Sequence, residues 1–159
     1  MRKDMFSSEG QQKREETAIV HLSLPDLLVS NQRLALHKEV RTLSLLGEGP
    51  CLLKQQIFTD NELRVLLPIL EAFPHYCPYE VLLASITSRV ATPTAITRWR
   101  LRLQEAQHHG TWDQELRPLR RALSSLRQKL LYFQLEISTV RERGCSLTNP
   151  SGPHNGSGE

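Results

Sequence analysis

The sequence predicts an α+β fold in which a small antiparallel sheet precedes a helical region that closes on a two-stranded hairpin. Short extended runs separated by turn residues fill residues 17–58. A strong helix-start signature follows at Thr59, and apolar residues then recur at spacings of three and four. Last, Leu116, Leu119, Leu123, Leu126 and Leu130 fall on one side of a helix that runs directly into the segment ISTVRERGCSL.

The elements follow in order. Residues 1–16 mix charge and small polar groups without periodicity, so an N-terminal disordered segment is expected, and the Pro/Gly/Ser-rich stretch 149–159 is expected to be a disordered tail. In between, 17–148 is read as one domain. The runs AIVHLSL, RLALHKE, VRTLSLL and CLLKQQIF read as antiparallel strands, while DLLVS reads equally well as strand or helical turn. Thr59 and Glu62 form a T-x-x-E capping box, flanked by Phe58 and Leu63 at the positions of a hydrophobic staple. They open a helix over 59–73, in which Pro68 removes a backbone donor and costs about 3 kcal/mol or forces a kink. A second helix is expected over 78–88, with Pro78 in its first turn and Leu82, Leu83 and Ile86 facing inward. Thr92-Pro93 is an N-cap and N1 pair for a third helix over 93–108, which Gly110 stops. The leucine-faced helix is placed at 117–131 and the hairpin at 135–148, with Gly144 expected to take the positive φ of the tight turn.

Opposite its leucines, the 117–131 helix shows Arg117, Arg121, Ser124, Ser125 and Gln128, flanked by Arg120 and Arg127. Guanidiniums, hydroxyls and an amide, with no carboxylate among these seven positions, suit phosphate oxygens and base edges. A solvated basic face with no ligand is the bland alternative. The formal net charge of +3 hides an asymmetry: residues 89–143 hold eleven Lys/Arg against five Asp/Glu, whereas residues 1–88 hold nine against eleven. Positive charge is thus concentrated where this helix and hairpin lie, and it attracts polyanions in general.

The composition also weighs against several function classes. Apolar stretches fall short of the roughly 20 residues that cross a bilayer, and the N-terminus lacks an apolar signal core, so a cytoplasmic protein without a membrane partner is expected. Cys51, Cys77 and Cys145 form no C-x-x-C pair and read as reduced thiols, mostly packed. His108 and His109 are adjacent on a helix and point about 100° apart, a poor chelate, and a helix C-terminus favours histidine for electrostatic reasons alone. Trp99 and Trp112 sit beside leucine stripes and read as core before they read as base-stacking platforms. With no nucleophile–base arrangement and no glycine-rich phosphate loop, neither enzymatic activity, nor a cofactor, nor a small-molecule substrate is expected.

The segments LSSLRQKL and ISTVRERGCSL resemble the C-terminal half of the OmpR/PhoB-type winged-helix domain of bacterial response regulators, where the pattern is I-S-R-L-R-R-K-L and then T-V-R-G-x-G-Y. FTDNELRVLLPIL and YEVLLASI resemble that family's L-T-x-x-E-x-x-L-L helix opening and its E-x-L-L positioning helix. The resemblance spans residues 58–86 and 117–147, and it implies a winged helix-turn-helix: an N-terminal antiparallel β-sheet, three core helices, and a C-terminal β-hairpin wing. It implies further that Arg120, Arg121, Ser124 and Ser125 enter the major groove and that Arg127 grips phosphate. Thr139 would contact the backbone, and Arg141 would reach toward the minor groove. The chain departs from the pattern in the inserted helix 93–108 before the recognition helix, in Glu142 for the wing's first glycine, and in Cys145 for its tyrosine. Arg120 and Ser125 stand where the family usually has aspartate and often has arginine, so a DNA sequence preference does not transfer.

The expected function is sequence-specific binding of double-stranded DNA by a bacterial, nucleoid-associated transcriptional regulator. Residues Arg117, Arg120, Arg121, Ser124, Ser125, Arg127, Gln128, Thr139, Arg141 and Arg143 form the contact set. ITRWRLRLQ in the inserted helix is a rival reading helix, though no wing follows it. With about 57 residues before the helical region, a phospho-accepting receiver domain is not expected. The alternatives are a protein-interaction or homodimerisation module on the same fold, and a replication or recombination accessory protein.

Overall fold

The computed structural model describes residues 19–49 and 51–149, which fall into two compact units divided after Thr59. The first is a four-stranded antiparallel sheet, β1 (Ile19–Leu22), β2 (Arg33–His37), β3 (Thr42–Leu46) and β4 (Leu52–Ile57), in the order β1-β2-β3-β4. Alternation sets its two faces. Leu34, Leu36, Leu43 and Leu45 are buried, and Leu34↔Leu45 and Leu36↔Leu43 are cross-strand partners on one face. DLLVS forms a helical turn, closed by Leu27 and Leu28 N–H groups on the Leu24 carbonyl, rather than a strand. Arg41 takes a left-handed φ of 50° at the β2–β3 turn, and its Nε donates to the Phe58 carbonyl at 3.0 Å.

The second unit holds α1 (Asp60–Ala72), the short strand β5 (Cys77–Pro78), α2 (Tyr79–Thr87), α3 (Pro93–His109), α4 (Trp112–Leu131), and the strands β6 (Glu136–Val140) and β7 (Gly144–Thr148). The protein is therefore α+β, with four helices, a four-stranded sheet and a three-stranded sheet among the described residues. α1 starts one residue after Thr59, where the capping box puts it, and continues through Pro68 to Ala72. Thr92 Oγ1 accepts from the Ala95 N–H at 3.2 Å, and Gly110 closes α3 at a φ of 70°. Both ends of α3 thus follow from the residues that mark them.

Two expectations need correction. α4 begins at Trp112, five residues before the expected start, and Pro118 lies inside it. The fixed φ of proline suits a first helical turn, but Asp113 and Glu115 supply the acidic first turn one turn earlier, and the burial of Leu116 outweighs the one backbone bond that Pro118 removes. The second concerns the hairpin turn. Glu142, and not Gly144, takes the positive φ, at 60°, in a turn closed by the Arg143 N–H on the Val140 carbonyl at 2.9 Å.

Gly144 is required for a different reason. β5, absent from the expected elements, pairs with β7 so that Pro78 lies opposite Gly144 and Cys77 opposite Cys145, in a sheet of order β5-β7-β6. A Cβ on Gly144 would run into the Cys77 carbonyl oxygen and come within 2.9 Å of Pro78 Cα. Proline suits its place, because in the antiparallel ladder the 78–144 pair lies between hydrogen-bonded pairs and needs no N–H; the neighbouring Tyr79 N–H donates to the Arg143 carbonyl at 2.9 Å.

The core of this unit is built on α4. Leu116, Leu119, Leu123, Leu126 and Leu130 are all buried to 3 % exposure or less, as are Val65, Leu66 and Ile69 of α1 and Leu82 and Leu83 of α2. Within this apolar layer, Lys129 Nζ of α4 donates to Glu62 Oε1 of α1 at 2.7 Å, with the Glu62 side chain 3 % exposed. Glu62 thus does more than its capping position suggested. Replacing Gly144 with alanine is expected to lower unfolding free energy by about 3 kcal/mol in urea denaturation, because a rigid backbone blocks the new methyl. Lys129→Met, which removes the ammonium paired with the buried Glu62 carboxylate, is expected to lower unfolding free energy by about 3 kcal/mol in the same assay.

Candidate functional site

α4 and the β6–β7 hairpin share one exposed basic surface, and the rotation set by the leucines decides which side chains form it. Arg117, Arg121, Ser124 and Gln128 follow one another at spacings of four, three and four, are all exposed, and lie opposite the buried seam. Among the described residues neither Arg117 nor Arg121 has an ion-pair partner. Ser125 borders this stripe, with its hydroxyl donating to the Ala122 carbonyl at 3.3 Å. Asp113, Arg117, Arg120, Arg121 and Ser124 border a shallow depression of about 410 Å³ on the same side.

Arg120 and Arg127 lie on the flank that faces the hairpin. Both line a cleft of about 620 Å³ between α4 and the strands, with Thr139, Arg141 and Glu142 on its far wall. Arg127 is half-buried, and its Nε donates to the Ile137 carbonyl of β6 at 3.4 Å, so it joins the helix to the hairpin. Arg120 pairs with Asp113 at 3.0 Å, with both side chains more than half exposed. Such a pair is worth well under about 1 kcal/mol and yields readily to a stronger anion. Thr139, Arg141 and Arg143 are exposed, and neither of these two arginines has an ion-pair partner among the described residues. Nine of the ten expected contact residues therefore belong to or border an outward stripe and a cleft that meet at α4, and the tenth, Arg143, lies in the hairpin turn outside both.

The arginines of α3 are placed differently. Arg100 pairs with Glu80 at 3.1 Å, and Arg102 pairs with Glu115 at 2.8 Å while its guanidinium lies 4.8 Å from the Trp99 ring centre. Trp99 Nε1 donates to Thr87 Oγ1 at 3.0 Å. These contacts fasten α3 to α2 and α4, leaving Arg98 as the exposed arginine of α3 without such a partner among the described residues. Neither tryptophan is fully buried as expected: Trp99 is half-buried, and Trp112 is half-buried at the cleft, where it meets Tyr79 edge to face at 6.0 Å.

Beneath the cleft, Cys145 lies directly opposite both Cys77 and Thr139 across the sheet. Burial pushes the Cys77 thiol up to about 12 and the Cys145 thiol up to about 11, the latter opposed by Arg127. Both stay protonated at neutral pH and serve as packing, whereas Cys51 is exposed. Burial also raises the Tyr79 hydroxyl, opposed by Arg120 and Arg127. No group of three His, Cys, Asp or Glu side chains among the described residues is placed to hold a metal ion, and no described helix is long and apolar enough to cross a membrane.

No family model matches the chain, and no curated protein or solved structure matches it significantly. The site is thus defined by its own geometry. Sequence reasoning missed Tyr79 and Trp112 as cleft residues, because their meeting depends on β5 and on the early start of α4. Glu142→Gly tests the hairpin: freeing the turn from a left-handed non-glycine residue is expected to raise unfolding free energy by about 1 kcal/mol in urea denaturation.

Proposed function

We propose that the protein binds double-stranded DNA through a winged-helix surface, with α4 as the recognition helix and the β6–β7 hairpin as the wing. The observation that carries this is the outward stripe of Arg117, Arg121, Ser124 and Gln128 on a helix whose flank is tied to a hairpin tipped with Arg141 and Arg143. A major groove admits one α-helix, and arginine and glutamine side chains suit guanine and adenine edges there. The backbone strand between the grooves would then cross the mouth of the cleft. Arg120, Thr139 and Arg141 would meet its phosphates there, with Arg127 beneath them holding the wing in register. The internal pairing of Arg100 and Arg102 favours α4 over α3 as the reading helix. The succession of an antiparallel sheet, helices and a C-terminal hairpin is in keeping with the OmpR/PhoB-type resemblance, to which α3 and β5 are additions, and on that resemblance the protein is a transcriptional regulator in a bacterium.

A protein-interaction role is the second reading. α3 buries just Leu103 and Ala106, while Leu101 is 59 % and Val90 68 % exposed, which leaves apolar surface for a partner or a second copy.

The test is fluorescence anisotropy on random duplex DNA at two salt concentrations. If about five phosphates are neutralised, a fourfold rise in salt weakens binding about 500-fold. Arg141→Ala is expected to lower the salt slope by about one, and Arg121→Ala to cost about 1–3 kcal/mol on a selected preferred site while sparing random DNA. Absence of binding at low salt by the folded protein would overturn the DNA reading in favour of the protein-interaction one.

A further inference from the structure

The cleft between α4 and the hairpin has more in it than a DNA backbone uses. Phosphates account for Arg120, Arg127, Thr139 and Arg141 at its rim and wall, but not for the half-buried Trp112, which meets the Tyr79 ring edge to face at its α2 end. At about 620 Å³ the space lies within the range of small-molecule sites, with an aromatic edge at one end and convergent polar groups along its wall.

We propose that this cleft binds a small aromatic carboxylate and that its occupation opposes DNA binding, an inference that rests on the DNA-binding reading for its second half alone. The ring would lie against Trp112, beside its edge-to-face contact with Tyr79, where an offset or T-shaped contact is favourable. The carboxylate would turn toward Arg120 and Arg127, with the Thr139 hydroxyl in reach as a donor. Arg120 is available, since its exposed pair with Asp113 exchanges readily for a better-buried anion. Glu142, on the opposite wall, repels a second negative charge and so selects monoanions over dianions. A carboxylate seated there takes up the guanidiniums that the DNA phosphates would meet, and the two ligands compete.

The chain has two tryptophans, so a Trp99→Phe background leaves Trp112, in the cleft wall, as the sole indole reporter. The probes are benzoate and phenylacetate, with benzamide as a ring without charge and acetate as a charge without a ring. The expected result is a saturable change in Trp112 emission with the two aryl carboxylates, at affinities about tenfold or more above those of benzamide and acetate. Arg120→Gln, a surface change that leaves the hairpin tether intact, should weaken the aryl carboxylates toward benzamide. Equal responses to acetate and benzoate, no saturable response at all, or an unchanged affinity in Arg120→Gln would each overturn the site. The competition is read separately, as the DNA affinity by anisotropy with and without saturating phenylacetate. A protein that binds DNA but ignores phenylacetate refutes the competition and keeps the DNA reading. One that binds phenylacetate but no DNA keeps the cleft and refutes the DNA reading.

Discussion

Five leucines fix the rotation of α4 about its own axis, and every assignment on the outer surface depends on that rotation. Turning the helix by one residue, about 100°, would put Arg117 in the place of Leu116 in one direction, and in the other would put Arg121 in the place of buried Ala122 and Leu123 in that of exposed Ser124. At about 25 cal/mol per Å² of apolar surface, five fully buried leucines hold the helix with several kcal/mol, more than any surface ion pair among the described residues contributes. Leucine seams tolerate sliding, however. The buried pair of Glu62 and Lys129 is directional, and it joins a fixed point near the start of α1 to a fixed point in the last turn of α4. Energy comes from the seam, and register along it is set by the pair.

From that constraint the arginines divide by what they already touch. Arg100, Arg102 and Arg127 are engaged in holding α3 and the hairpin to their neighbours, whereas Arg117, Arg121, Arg141 and Arg143 have no ion-pair partner among the described residues. Four such arginines thus share one helix face and one hairpin tip, and that placement supports nucleic-acid binding more directly than the net charge of +3 does. Arg127 joins the two parts, since the bond that keeps the hairpin beside α4 also sets the width of the cleft.

Much of the fold was legible in local chemistry. The strands of the first unit appear as alternating runs, α1 starts at its capping box, and α3 begins at Thr92-Pro93 and ends at Gly110 because those residues act through their own backbone. Features that depend on distant partners were not legible. β5 has two residues and exists because β7 offers it an edge; Gly144 is constrained by Cys77, 67 positions away, and not by its own φ. The N-terminal turn and a half of α4 was hidden by Pro118, whose local preference for a helix start is overridden by the burial of Leu116. The outward stripe could be read from periodicity, but the division between stripe and cleft could not, because it depends on where the hairpin returns.

The most direct test of the account is amide chemical-shift mapping of the protein titrated with duplex DNA. Perturbations concentrated in residues 117–128 of α4 and 139–143 of the hairpin, with the exposed side of α3 at Thr94, Thr97 and Leu101 unaffected, are what the account predicts. Perturbations centred on α3, or spread over the β1–β4 sheet with α4 silent, would contradict it.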